Sequence, residues 1–252
     1  LVVMRDAIAV TGATGFIGSS LARHLELLGF NVVRIRCTSL NDARYCAEVK
    51  KALQQSFCLV HCCGVSDSTN NESAAKENLL HGNVHITEAV GVLAIDAGIR
   101  KVIFLSSVKA ACSFTAPNEK LSSLTIPNPN CYYGTCKLDA ERTLKGLVAG
   151  TDTEVVIVRC PLVYGPKVKG NFLALLNLIS TGVPLPFGSI KNERSFVFIE
   201  NLNDFLLKCI QEPRKINQIL YVSDDFDVST AELVTECYRY LKLKNRLFPI
   251  RK

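Results

Sequence analysis

The stretch Ala7-Ile8-Ala9-Val10-Thr11-Gly12-Ala13-Thr14-Gly15-Phe16-Ile17-Gly18 decides the fold. Ala7 to Val10 reads as a buried strand. Ile17, Leu21, Leu25 and Leu28 follow at spacings of four, four and three, which is one apolar face of a helix. Of the glycines between them, Gly12 suits a tight turn, Gly15 a close approach of backbone to a pyrophosphate, and Gly18 close packing of helix on sheet. The helix N-terminus adds free N–H groups and the positive end of its dipole. Such a glycine triplet is a weak signal alone, and a structural turn is the bland alternative. Its place between a strand and an amphipathic helix is the context that phosphate binding requires. Gly12, Thr14, Gly15, Phe16, Ile17 and Gly18 are therefore expected to bind a dinucleotide.

Working outward, the alternation continues. Gly29 ends the helix, and strand patterns follow at Asn31–Ile35, Phe57–Val60, Lys101–Leu105 and Glu154–Arg159. Helical patterns run from Asn83 to Ala97 and from Tyr133 to Val148. This predicts an α/β fold, a doubly wound parallel sheet with helices on both faces. After Pro161, prolines and glycines punctuate shorter elements, among them a short amphipathic helix carrying Phe172, Leu175, Leu176 and Ile179. The expected division is a dinucleotide-binding domain over residues 1–160 and a smaller C-terminal substrate-binding lobe over residues 161–252.

Composition sets the outer bounds. Of 252 residues, 48% are apolar and 21% charged, an ordinary globular balance. No apolar run is long enough to cross a bilayer, and the N-terminus lacks a secretory layout, so a cytoplasmic location is expected. The 11 cysteines are odd in number and irregularly spaced, which argues against a disulfide framework. His61-Cys62-Cys63 lacks the second ligand pair of a zinc site, so no metal is expected and the cysteines read as small apolar filler. The net charge of +6 comes without a Lys/Arg block, which argues against nucleic acid and is compatible with phosphate-bearing ligands.

Two further features carry chemistry. Dinucleotide folds that take NAD usually end the second strand with an acid for the ribose hydroxyls. Arg36 stands there, with Arg34 on the same face, and a guanidinium suits a 2′-phosphate. The expectation is NADP, with NAD the alternative; two solvated arginines at a strand end are the bland reading. Tyr133 and Lys137 stand four apart at the start of a helix, on one face. An ammonium beside a phenol favours the phenolate and moves its pKa toward the working range. Ser107 closes a strand at the C-terminal edge of the sheet, where open α/β sheets bind ligands.

Taken together, the Gly12/Gly15/Gly18 loop, Ser107 and the Tyr133–Lys137 pair resemble the extended short-chain dehydrogenase/reductase family, also called the NAD-dependent epimerase/dehydratase family. The resemblance covers nearly the whole chain. It implies a Rossmann-type domain with a small substrate lobe, and Ser107, Tyr133 and Lys137 as catalytic triad, the last two also touching the cofactor. Asn83-Val84-His85-Ile86-Thr87 is similar to a family helix start, with Ile86 in place of a glycine, and Cys136 stands where a serine is usual. Val158 to Pro166, Gly170-Asn171-Phe172, Pro184-Leu185-Pro186 and Arg194-Ser195-Phe196 resemble the nucleotide-sugar branch, especially bacterial polysaccharide epimerases and 4-keto-sugar reductases. That implies a UDP-sugar substrate held by Ser107, with Asn171 and Arg194 at its diphosphate. A helix N-cap for Asn171 and a surface salt bridge for Arg194 are the bland alternatives. Ser107-Val108-Lys109 lacks the threonine and paired acids of the family's dehydratases, which disfavours water elimination. The function implied is hydride chemistry at C4 of the sugar, as 4-epimerase or 4-keto reductase. The alternative is an NADP-binding redox-sensing regulator without catalysis, against which the presence of Tyr133 and Lys137 counts. A homodimer is left open. The family continues for several elements beyond the position of Lys252, so the lobe is expected to be incomplete.

Overall fold

A computed structural model of the chain describes residues 6–37, 40, 42–66, 72–116, 119–216 and 218–250. It divides into two units, residues 1–160 with 202–222, and residues 161–201 with 223–252. The opening segment of the first unit ends at Cys160, and the unit also takes back Leu202–Val222, which the sequence reading left in the second lobe. Strand pairing explains the difference. Ile219–Tyr221 lies parallel to Glu154–Cys160, with Arg159 opposite Tyr221, and so completes the sheet edge.

The first unit alternates as expected. Its elements are β1 (Ala7–Thr11), α1 (Phe16–Leu27), β2 (Asn31–Ile35), α2 (Ala43–Gln54), β3 (Ser56–His61), α3 (Glu72–Leu80), α4 (Ile86–Asp96), β4 (Lys101–Ser107), α5 (Tyr132–Val148) and β5 (Glu154–Cys160). The second unit opens with β6 (Leu162–Tyr164), α6 (Gly170–Ser180) and β7 (Phe196–Phe198). Helix α7 (Ile199–Gln211) leads back to β8 (Ile219–Tyr221) in the first unit, and α8 (Thr230–Tyr240) lies in the second.

The sheet order is β2-β1-β3-β4-β5-β8, and every pairing is parallel. From β1 the chain moves outward to β2 and then crosses to β3 on the other side. The order therefore reverses between β1 and β3, the switch point at which such sheets open a crevice for ligands. Because β1→β2 and β3→β4→β5 run in opposite directions, right-handed crossovers put α1 on the face opposite α4 and α5. Ala9, Leu59, Val102, Phe104 and Ile157 form one sheet face and pack with Val49 and Leu53 of α2, Val90 and Ala94 of α4, and Ala140 and Leu144 of α5. Strands β1 and β5 are buried along their whole length on both faces, as near-continuous apolar runs in a parallel sheet require.

One helix departs from its pattern. The apolar periodicity from Asn83 is interrupted by a π-helical turn over His81–His85 between α3 and α4. The Asn83 side-chain amide donates to the carbonyls of Leu79 and Val65, both at 2.9 Å, and ties this turn to the segment that leaves β3. In the second unit, β6 and β7 pair in parallel, and Ile179, Leu185, Val234 and Tyr238 form a small core under α6 and α8. Among the described residues no helix is long and apolar enough to cross a membrane.

Candidate active site

The glycine loop sits at the switch point. Gly12 has φ +64°, and a Cβ there would lie 2.8 Å from the Cys63 amide nitrogen, so both backbone conformation and space demand glycine. A Cβ on Gly18 would lie 2.3 Å from the Gly12 carbonyl oxygen. The close approach that Gly18 permits is thus to the loop itself, rather than to the sheet as the sequence suggested. Around Gly15 a Cβ would meet only the Gly12 oxygen, at 3.2 Å, within the same turn. No side chain caps the N-terminus of α1, and its first turn carries no acid. Thr14 is exposed, and Phe16 and Ile17 are half-buried in that first turn. Uncapped N–H groups in the turn at Gly15 fit a pyrophosphate.

At the end of β2 the two arginines part company. Arg34 makes a two-pronged ion pair with Glu26 of α1, at 2.8 and 3.0 Å, and is already engaged. Arg36 is exposed, and the Tyr45 hydroxyl bonds both its N–H and its carbonyl. Among the described residues its guanidinium has no partner.

The three catalytic candidates converge within the first unit. Ser107 ends β4, and Tyr133 lies in the first turn of α5. Ser107 Oγ accepts the Lys109 N–H at 3.2 Å, and its hydroxyl is near enough to the Tyr133 phenol to lower its pKa. Lys137, one turn further along α5, is buried. Its ammonium donates to the Leu105 carbonyl at 3.2 Å and lies 5.0 Å over the Phe104 ring. A Cβ on Gly64 would be 2.8 Å from Lys137 Nζ, so the glycine makes room for the ammonium. Lys109 is exposed, as expected of a loop residue, with its ammonium 5.9 Å over the Tyr133 ring.

Electrostatics here correct one expectation. Burial pushes the Tyr133 phenol up to about 12, and the contribution opposing it is the Ser107 hydrogen bond, not the Lys137 charge. Burial likewise draws Lys137 down to about 8, against the thiols Cys63, Cys160 and Cys62 and the Glu141 carboxylate, which favour its charge. Desolvation thus acts on both groups in the direction of their neutral forms. Beside them His61 is also neutral, its pKa pushed down to about 3 by burial. Thr87 gives its proton to the Asn83 carbonyl and so accepts from His61 Nε2–H, while Nδ1 accepts from Thr11 at 2.6 Å. Both ring nitrogens are spent on the fold.

Sequence reasoning missed what anchors the helix. Glu141 lies one turn beyond Lys137 and is buried. Its Oε1 accepts from Ser106 Oγ at 2.5 Å and Arg159 Nε at 2.9 Å, and its Oε2 from Arg159 Nη2 at 2.6 Å. Arg159 also donates to the Tyr221 hydroxyl at 2.7 Å. The spacing Tyr133, Lys137, Glu141 was visible as a continued i, i+4 row; its partners on β4, β5 and β8 were not.

In the second unit, Asn171 is exposed in the first turn of α6. The N-cap is Lys169, so the capping alternative for Asn171 is set aside. Arg194 is exposed, pairs through its backbone with Val228, and lies 5.6 Å over the Phe196 ring. Among the described residues it forms no salt bridge. Phe172 and Phe196 are 6.4 Å apart, so this unit gathers the start of α6 and Arg194 around one aromatic cluster.

Residues 8–222 match the model of the NAD dependent epimerase/dehydratase family. The chain belongs to that family. A UDP-glucose 4-epimerase of Vibrio cholerae is 35% identical over 246 residues, covering 92% of this chain and 75% of the relative. Among solved structures, MoeE5 in complex with UDP-glucuronic acid and NAD superposes with TM-score 0.82 at 22% identity, over 97% of this chain and 85% of that one. A dTDP-4-dehydrorhamnose reductase from Bacillus anthracis str. Ames, in complex with NADP, gives 0.81 at 19% identity, over 99% and 85%. The fold is that of Rossmann-type short-chain dehydrogenases of the extended kind, and the family member described here is an enzyme that uses a nicotinamide dinucleotide.

The Ser106–Glu141 bond joins the residue beside Ser107 to the helix that carries Tyr133 and Lys137, which generates a prediction. Ser106→Ala is expected to lower kcat about tenfold, the cost of one hydrogen bond to a charged group. KM is expected to stay near its original value, and Ser106→Thr is expected to restore the rate. Steady-state kinetics on the three proteins check this, and a Ser106→Ala protein with unaltered kcat removes the link.

Proposed function

We propose that the chain is a UDP-sugar 4-epimerase, working by oxidation and re-reduction at C4, with 4-keto reduction as the half-reaction that the same side chains support. The observation that carries the reading is the convergence of Ser107, at the end of β4, on the Tyr133 phenol, whose pKa it lowers, with Lys137 one turn further along the same helix face. The 35% identical Vibrio cholerae UDP-glucose 4-epimerase supports the choice of sugar class and carbon. When bound at the glycine loop, the nicotinamide supplies a hydride acceptor and donor. Gly12, Thr14, Gly15, Phe16, Ile17 and Gly18 hold the dinucleotide through backbone N–H groups and the helix terminus.

Tyr133 moves the proton at the C4 oxygen. Ser107 turns its one hydroxyl proton to that oxygen when the sugar is bound and so fixes it beside the phenol. Lys137 orients the cofactor ribose and keeps a positive charge near the reacting groups. Tyr133→Phe retains the ring and removes only the hydroxyl. The variant, assayed with UDP-glucose and UDP-galactose by product analysis, is expected to lose roughly 10²–10⁴-fold in turnover with cofactor binding intact. Turnover at the original rate would falsify the assignment of this site.

The cofactor is proposed to be NADP rather than NAD, because Arg36 is exposed and its guanidinium uncommitted among the described residues, while Arg34 is held by Glu26. Arg36→Asp is expected to weaken NADPH binding about tenfold or more and to strengthen NADH binding, as one charge-assisted contact to a phosphate would give. Calorimetric titration of both cofactors decides it, and equal affinities in the starting protein would reverse the choice.

Asn171 and Arg194 are proposed to hold the UDP diphosphate, for which a planar guanidinium suits both charge and geometry. The exposed, unpaired state of Arg194 beside Phe196 supports this. Arg194→Ala is expected to weaken UDP binding at least about tenfold while leaving NADP affinity in place. An unchanged UDP affinity assigns Arg194 to the fold.

A further inference from the structure

The sequence reading treats the cysteines as apolar filler, yet two of them meet at the glycine loop. Cys37 follows β2 and Cys63 follows β3, the strands on either side of β1. The registers place Ile35 and His61 opposite Thr11, and each cysteine stands two residues beyond, on the same side of its strand line. The Cys63 backbone runs directly beside Gly12, where a Cβ would touch its nitrogen at 2.8 Å. The Lys137 ammonium lies against Gly64, the next residue. Both thiols are free and belong to one packed cluster, Cys37 buried within it and the half-exposed Cys63 packed against it, and each perturbs the ionisation of the other.

We propose that Cys63 and Cys37 form a peroxide-reactive dithiol at the edge of the dinucleotide seat, with Cys63 as the thiol that is oxidised and Cys37 as the thiol that resolves it. The Cys63 thiolate attacks one oxygen of a hydroperoxide. The O–O bond breaks, an alcohol or water leaves with the proton, and Cys63 becomes a sulfenic acid. The Cys37 sulfur then attacks the Cys63 sulfur, the S–O bond breaks, and water leaves. The balance is two thiols and one hydroperoxide to one disulfide, one alcohol and one water.

The surroundings select Cys63. The neighbouring Cys37, the Lys137 ammonium and the Gly64 N–H lower the Cys63 pKa against its burial. Burial pushes Cys62 and Cys160 up, and Cys37 is raised by its Cys63 neighbour and by burial, so these remain thiols. A thiolate that is partly accessible and touches a second thiol is the arrangement that peroxide-sensing cysteines share.

The test treats the ligand-free chain with hydrogen peroxide near neutral pH and maps its cysteines by peptide mass spectrometry. The expected product is a Cys37–Cys63 disulfide that forms before any other cysteine is oxidised and is reversed by a thiol reductant. Cys37→Ser is expected to stop at the Cys63 sulfenic acid, captured as a dimedone adduct. The proposal is overturned if Cys63 stays a free thiol while other cysteines oxidise, or if it pairs with Cys62 or Cys160. Mapping of the unsubstituted chain decides this even if Cys37→Ser does not fold. A separate arm repeats the reaction with NADP and NAD bound, and it alone rests on the cofactor reading of the loop. There, oxidation of Cys63 is expected to slow at least about tenfold, the mass-action effect of cofactor at ten times its Kd. A disulfide that forms at the same rate with cofactor present leaves the dithiol established and counts against the cofactor reading instead.

Discussion

The buried ion pair between Glu141 and Arg159 is the contact on which the geometry of the first unit turns. Taking two charges out of water is expensive, and their attraction offsets the cost only when the geometry is good and the remaining polar atoms are satisfied. Both conditions are met here. The carboxylate accepts two bonds from Arg159 and one from Ser106, and the guanidinium extends to Tyr221. Four elements, α5, β4, β5 and β8, are therefore fixed to one another below the site. Removing either charge alone would leave the other buried without a partner. The pair thus specifies where α5 lies against the sheet, and through α5 where Tyr133 and Lys137 stand relative to Ser107.

That precision matters because burial acts against the chemistry. Desolvation raises the Tyr133 phenol to about 12 and lowers the Lys137 ammonium to about 8, each toward its neutral form. A protein that left these groups to burial alone would hold an inert phenol. What opposes it is Ser107 for the phenol and neighbouring charge, the Glu141 carboxylate included, for the ammonium. Both depend on where α5 lies against β4, so the rigid underlay and the tuned site belong together.

Much of this was legible in the sequence where a local rule applied. The glycine loop, the strand ending in Ser107 and the Tyr133–Lys137 spacing are short-range patterns, and the parallel α/β class follows from their alternation. Helix α2 escaped because its buried face amounts to little more than Val49 and Leu53. The π turn at His81–His85 escaped because its cause, the Asn83 amide reaching the Val65 carbonyl, joins residues from separate elements. The return of Leu202–Val222 to the sheet, the Glu141 anchor and the Cys37–Cys63 contact escaped for the same reason. Each depends on partners distant in sequence, and periodicity carries no information about those. The pKa of Tyr133 was misjudged on a different ground. Spacing identifies a neighbour but not the depth of burial, and depth decided the sign.

The way the chain passes between its two units has a consequence for how such a protein can change. It leaves the sheet after Cys160, rejoins the first unit at Leu202 and the sheet at Ile219, and the two strands that flank this crossing are joined by the Arg159–Tyr221 bond. In topological terms Pro161–Asn201 is a long excursion from a sheet that closes without it, and loop-closure entropy grows only slowly with the length of such an excursion. Insertions, deletions and substitutions out there can accumulate while β5 and β8 stay paired. The architecture leaves the paired strands of the sheet fixed while the second unit is free to vary in length and sequence.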